Sequence, residues 1–165
     1  MALSRLAGPR LRRLLRSFPA AAVMGSRQCG KTTLVRSLFP KAEAFDLERP
    51  SDLRRLEADA EYTLRHAKPP VILDEAQRLP ALFPILRALI DERRQERGRF
   101  LLLGSAHPSL ARGISESLAG RIAFVDLDPS GRTAVRPLAL GPVKPLSTVR
   151  HGELLFNDAS ICFQS

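Results

Sequence analysis

The sequence predicts an α/β fold, a five-stranded parallel sheet with helices on both faces. Three observations carry that reading. Short apolar runs alternate with segments of helical period between residues 19 and 127. The first run ends in a glycine-bracketed loop, "GSRQCGKTT" (25–33), and the third runs into two carboxylates, Asp74 and Glu75. Strands buried on both faces read as continuous apolar runs, and helices between them supply the crossovers that parallel pairing needs.

The elements follow in order. Residues 1–16 carry five Arg and no acid and are expected to form a basic helical arm. Leu6, Leu11, Leu14 and Leu15 form its apolar side, with an interruption expected at Gly8-Pro9. Such an arm could meet nucleic acid or a membrane surface. It lacks the aromatic residues on which bases stack, so a solvated basic face is the simpler expectation. "PAAAVMG" (19–25) reads as a buried strand, and "KTTLVRSLF" as a helix with Leu34, Val35 and Leu38 on one side. "AEAFDLE" (42–48) is a second strand. A helix over 50–66 opens with Ser51 and Asp52 as capping candidates and sets Leu53, Leu56, Ala60 and Leu64 near one face. "PPVILDEAQ" (69–77) is the third strand, and a helix is expected over 79–98, lined by Leu82, Leu86, Leu89 and Ile90. "RFLLLGSAH" (99–107) is the fourth strand, "SLARGISESLAG" a short helix, and "RIAFVDL" (121–127) the fifth strand.

After residue 128 the periodicity fails, and the text is rich in Pro and Gly. The expected organisation is a basic arm (1–16), one domain (17–128) and a poorly ordered tail (129–165). A chain of 165 residues has room for one domain with a real core. Its charge of +9 is concentrated at the ends. Two cysteines exclude a disulfide scaffold, and the three histidines show no metal-ligand spacing with them. No apolar run approaches the roughly 20 residues of a membrane span, and the first residues lack an apolar signal core. A cytoplasmic location without membrane contact is expected.

Residues 25–32 match the Walker A pattern G-x-x-x-x-G-K-[ST]. Its glycines let the backbone curl so that successive N–H groups point at phosphate oxygens, and the following helix adds its positive end. Gly25, Ser26, Arg27, Gln28, Cys29, Gly30, Lys31, Thr32 and Thr33 are therefore the nucleotide-binding candidates. Lys31 is expected to reach the β- and γ-phosphates, and the Thr32 hydroxyl to bind Mg²⁺. The strand "VILD" carries Asp74 to the C-terminal edge of the sheet, where ligands bind in open α/β folds. Asp74 is the second Mg²⁺ candidate, and Glu75 the group that would activate an attacking water. Ser105, at the end of the fourth strand, would sit beside the γ-phosphate; a serine that merely begins the next turn is the alternative.

Taken together, "SFPAAAVMGSRQCGKTTL", "FDLERPSDLRRL", "VILDEAQRLPALFPILRALIDERR", "RFLLLGSAHPSL" and "SESLAGRI" resemble the AAA-type ATP-binding proteins of bacteria and archaea. In these an AAA core is followed by a C-terminal domain of unknown function. The resemblance covers roughly residues 10 to 128 and implies a P-loop NTPase of the AAA+ (ASCE) type, with strand order 5-1-4-3-2. It implies ATP and Mg²⁺ as ligands and ATP hydrolysis as activity, with Lys31, Thr32, Asp74, Glu75 and Ser105 in the roles above. Arg121 of "LAGRI" matches an arginine typical of the family, which would serve either as an arginine finger toward a neighbouring subunit of a homo-oligomer or in a structural ion pair. Such proteins are usually more than twice this long, so a truncated chain without the C-terminal domain is expected. Two other readings stay open: a non-catalytic nucleotide-binding or DNA-associated remnant, and a P-loop kinase for a small molecule.

Overall fold

The computed structural model of the chain describes residues 3–105, 108–127 and 133–137. Among these residues six strands form one sheet: β1 (Ala20–Gly25), β2 (Ala44–Asp46), β3 (Val71–Asp74), β4 (Phe100–Gly104), β5 (Ile122–Leu127) and β6 (Thr133–Pro137). Their order is β2-β3-β4-β1-β5-β6. The first five are parallel in the expected order 5-1-4-3-2, with β1 central between β4 and β5.

The period of two along each strand divides the core. Ala20, Ala22 and Met24 of β1, with Val71, Leu73, Phe100 and Leu102, face α3 (Pro50–His66), α4 (Leu82–Glu92) and α5 (Pro108–Ser117). Ala21 and Val23, with Ile72, Leu101, Leu103 and Val125, face α1 (Leu3–Ser17) and α2 (Lys31–Leu38). Small alanines on the central strand let helices lie close on either side. Each fully buried Leu or Phe contributes about 1.5–3 kcal/mol, and the two layers hold the C-terminal ends of β1, β3 and β4 at a common edge.

Three departures from expectation have physical causes. Helix α1 runs unbroken through Gly8 and Pro9. Ala7, Leu11 and Leu15 are buried against the sheet, and that burial offsets the roughly 3 kcal/mol that an interior proline costs. Helix α4 stops at Glu92 rather than near residue 98, because "RRQER" (93–97) offers no apolar side chain to bury. Residues 133–137, read from the sequence as part of the tail, form β6, antiparallel to β5 with Val135 opposite Val125. The rest of the expected tail lies outside the described residues.

Helix α3 leaves helical geometry at Asp59, whose Oδ1 accepts the Tyr62 N–H at 2.8 Å and so restarts the helix. The N-cap of α3 is Arg49, with Pro50 opening the helix, so Ser51 and Asp52 do not cap it; Asp52 Oδ2 instead takes the Asp46 N–H of the edge strand β2 at 3.0 Å.

Candidate functional site

The loop between β1 and α2 is shaped by two glycines. A Cβ on Gly25 would lie 2.7 Å from both Cys29 Sγ and the Leu127 carbonyl oxygen, so only glycine lets the loop leave β1 against β5. Gly30 has φ 85°, the left-handed region, and no side chain caps α2 behind it. The first N–H groups of α2 are therefore left to whatever enters the cavity in front of them.

That cavity, about 440 Å³, is lined by Arg27, Gln28, Gly30, Lys31, Thr32, Thr33, Glu48 and Glu75. Gly25, Ser26 and Cys29 of the sequence candidates stand behind it: Cys29 is buried, and the other two contribute carbonyl oxygens. Lys31 is only 6% exposed. Its Nζ donates to the carbonyls of Gly25 (3.1 Å) and Ser26 (2.8 Å). Among the described residues no carboxylate lies within ion-pair range of this ammonium. A buried cation held by two carbonyls and a 4.0 Å contact to Cys29 Sγ is short of an anion, and the open side of the cavity is where one fits.

Thr32 Oγ1 donates to Asp74 Oδ2 at 2.7 Å. Asp74 Oδ1 accepts the Glu75 N–H at 3.0 Å. A hydroxyl and a carboxylate converging beside a phosphate-sized opening form a hard oxygen set, the kind that magnesium takes together with water and phosphate. Glu75 follows with φ 53° and ψ 43°. A residue with a side chain reaches this region at a cost of about 1–3 kcal/mol, and here the bond from Asp74 holds the turn while the carboxylate faces the cavity.

Ser105 is half-buried at the end of β4, and its Oγ lies 3.4 Å from Gln77 Nε2. Arg121 is not at this edge. It precedes β5, and its carbonyl accepts the Ala20 N–H at the start of β1; Gly25 is a strand length away, roughly 17 Å at 3.3 Å per residue. Its guanidinium makes a two-pronged pair with Asp91 of α4, at 2.8 and 2.9 Å, and donates to the Ala119 carbonyl at 3.0 Å. Those hydrogen bonds hold the Asp91 carboxyl below the usual carboxylate range and raise Arg121.

Two residues of the site escaped the sequence reading. Glu48 lines the cavity and pairs with Arg27 at 3.3 Å across its mouth. Gln77 holds Glu75 through a hydrogen bond from Nε2 to Oε2. The only signal for either was proximity to a motif: Glu48 follows β2 closely, and Gln77 is two residues past Glu75.

A known family, described as an AAA domain, matches residues 17–131. The chain belongs to that family. Curated relatives of this AAA domain are two uncharacterized proteins, one of Mycobacterium bovis and one of Mycobacterium tuberculosis. Each is 43% identical over 155 residues, covering 89% of this chain and 35% of the relative. The chain thus spans about a third of the length of those relatives. Among solved structures, the Walker-type ATPase of Pyrococcus abyssi is similar in fold, with TM-score 0.51 at 18% identity, over 76% of this chain and 52% of the other. Family and fold together make this a P-loop domain of the ATP-binding AAA class. Among the described residues no helix is long and apolar enough to cross a membrane.

Proposed function

We propose that this AAA domain binds Mg-ATP in the cavity before α2 and hydrolyses it. The observation that carries the reading is the 2.7 Å contact of Thr32 with Asp74 beside the buried, carbonyl-held Lys31. Bound Mg-ATP would supply the phosphoryl group and a cation to offset the charge that develops as it is transferred. Lys31 would turn its ammonium from the Gly25 and Ser26 carbonyls to the phosphates. Thr32 and Asp74 would hold the cation. Glu75 would accept a proton from the attacking water, and Ser105 would donate its hydroxyl toward the terminal phosphate.

Arg121 has no part in this chemistry within one chain. Its pairing with Asp91 supports a structural role, tying β5 to α4, over that of an arginine finger in a homo-oligomer. The Glu directly after Asp74 favours water over a small-molecule acceptor.

The test is release of inorganic phosphate from ATP by the purified chain, with Mg²⁺ and with chelator, beside calorimetric binding. Magnesium-dependent release supports hydrolysis. Binding without release supports a nucleotide-binding module that does no chemistry, and absence of binding overturns the reading.

A further inference from the structure

Gln77 belongs to a single 3-10 turn, Ala76–Arg78, directly after Glu75. Its Nε2 donates to Glu75 Oε2 and lies 3.4 Å from Ser105 Oγ. Its other polar atom, Oε1, is buried and has no hydrogen-bond partner among the described residues. Buried polar atoms are rarely left so, because an unmade hydrogen bond costs stability. Reversing the amide would not relieve the cost: it would set a carbonyl oxygen against the Glu75 carboxylate, acceptor against acceptor. The orphaned oxygen is thus the consequence of giving Glu75 a donor. Glu75 is held at both ends, its backbone N–H by Asp74 Oδ1 at 3.0 Å and its carboxylate by Gln77.

We propose that Gln77 is a positioning residue that orients the Glu75 carboxylate and makes it respond to what Ser105 binds; this rests on the hydrolytic reading above. One amide nitrogen touches both side chains. When a terminal phosphate oxygen draws the Ser105 hydroxyl, Gln77 Nε2 loses that neighbour and readjusts on Glu75. The strained turn gives this adjustment little slack, so a shift at Ser105 reaches the carboxylate that would take the proton. A general base oriented by a third group is a recurring arrangement, and here the orienting group also touches the residue placed at the γ-phosphate.

The experiment follows the Gln77 side-chain amide by ¹⁵N–¹H NMR on the whole chain, its signal identified by its loss in Gln77→Leu. In nucleotide-free protein the signal is expected to move in Glu75→Ala. Adding β,γ-imido-ATP with Mg²⁺ should move it in the wild type and not in Ser105→Ala. In turnover, Gln77→Leu should lower kcat roughly tenfold or more while the analogue's Kd stays within about twofold. Its Tm should not fall, because leucine removes the orphaned oxygen along with the donor. A purely structural Gln77 would lower Tm and leave kcat unchanged. An amide signal indifferent to Glu75→Ala, an equal response in Ser105→Ala, or an unchanged kcat overturns the proposal. Wild type that binds the analogue without turning over ATP overturns the hydrolytic reading instead, and the nucleotide-free comparison still decides whether Gln77 holds Glu75.

Discussion

Thr32 and Asp74 are 42 residues apart in the chain, and the hydroxyl of one donates to the carboxylate of the other at 2.7 Å. The contact ties the start of α2, which follows β1, to the end of β3, although β4 lies between β1 and β3 in the sheet. Strand β4 ends in the small residues Gly104 and Ser105, which leave room for the approach. Thr32→Val keeps the shape and removes the hydroxyl. Asp74 retains its bond to the Glu75 N–H, so the fold should persist. The expected loss is confined to metal: ATP affinity without Mg²⁺ unchanged, and the gain on adding Mg²⁺ reduced about tenfold, near 1.4 kcal/mol. Calorimetric titrations with and without Mg²⁺ check it, and an equal gain in both proteins would remove Thr32 from the metal site.

Lys31 is the cation of the loop. Lys31→Ala removes it together with its bonds to the Gly25 and Ser26 carbonyls. Mg-ATP affinity should fall about tenfold or more, at least ~1.4 kcal/mol. Unchanged affinity would mean that the phosphates lie elsewhere.

Glu75 separates binding from chemistry. Glu75→Gln keeps the volume and the cavity wall but cannot take a proton. Bound ATP should persist while turnover drops roughly 10²-fold or more. Equal loss of binding and turnover, measured by calorimetry and single-turnover phosphate release, would make Glu75 a structural residue.

The Arg121–Asp91 pair makes a prediction in pH. Asp91 titrates below its ordinary value in the folded chain, first through the hydrogen bonds from Arg121. Its contribution is therefore complete above the unfolded carboxylate value, about 3.9, and is lost as pH falls through the depressed folded value. Arg121→Met should lower stability at neutral pH by about 1 kcal/mol, the scale of a well-formed, partly exposed pair. The difference from wild type should shrink as acid is added below pH ~4. Urea unfolding at several pH values measures this, and calorimetry should show ATP binding by the variant unchanged. Loss of ATP binding on this substitution would place Arg121 nearer the nucleotide than the fold does.

The parallel core was legible because its strands are buried on both faces. "AAAVM", "VIL" and "FLLL" have no alternation to confuse with a solvated strand, and the loop after the first fixes which strand is central. Lys31, Thr32 and Asp74 were legible for the same reason: a strand end and a helix start place them without further information. Strand β6 was not, because the Pro and Gly of "DPSGR" (128–132) read as the end of the fold when they precede one more strand. Gln77 and Glu48 were hidden by the chemistry of their partners. Nothing local in a Gln or an exposed Glu says that it will meet Glu75 or Arg27; only the strained turn at Glu75 and the path of the chain after β2 bring them there.

The N–H of Asp46, turned away from β3 and taken by the Asp52 carboxylate, has a consequence for how these molecules meet one another in solution. A sheet ending in free amides invites another chain to add a strand and so begin an aggregate. Here the outer strand has three residues, and its outward amide is covered by negative charge. An incoming strand would have to displace that carboxylate from its donor and bring its own carbonyl oxygen against it. Edge-to-edge stacking through β2 is therefore opposed by a side chain from the next helix, and Asp52→Ala should make concentrated solutions of the chain more prone to self-association.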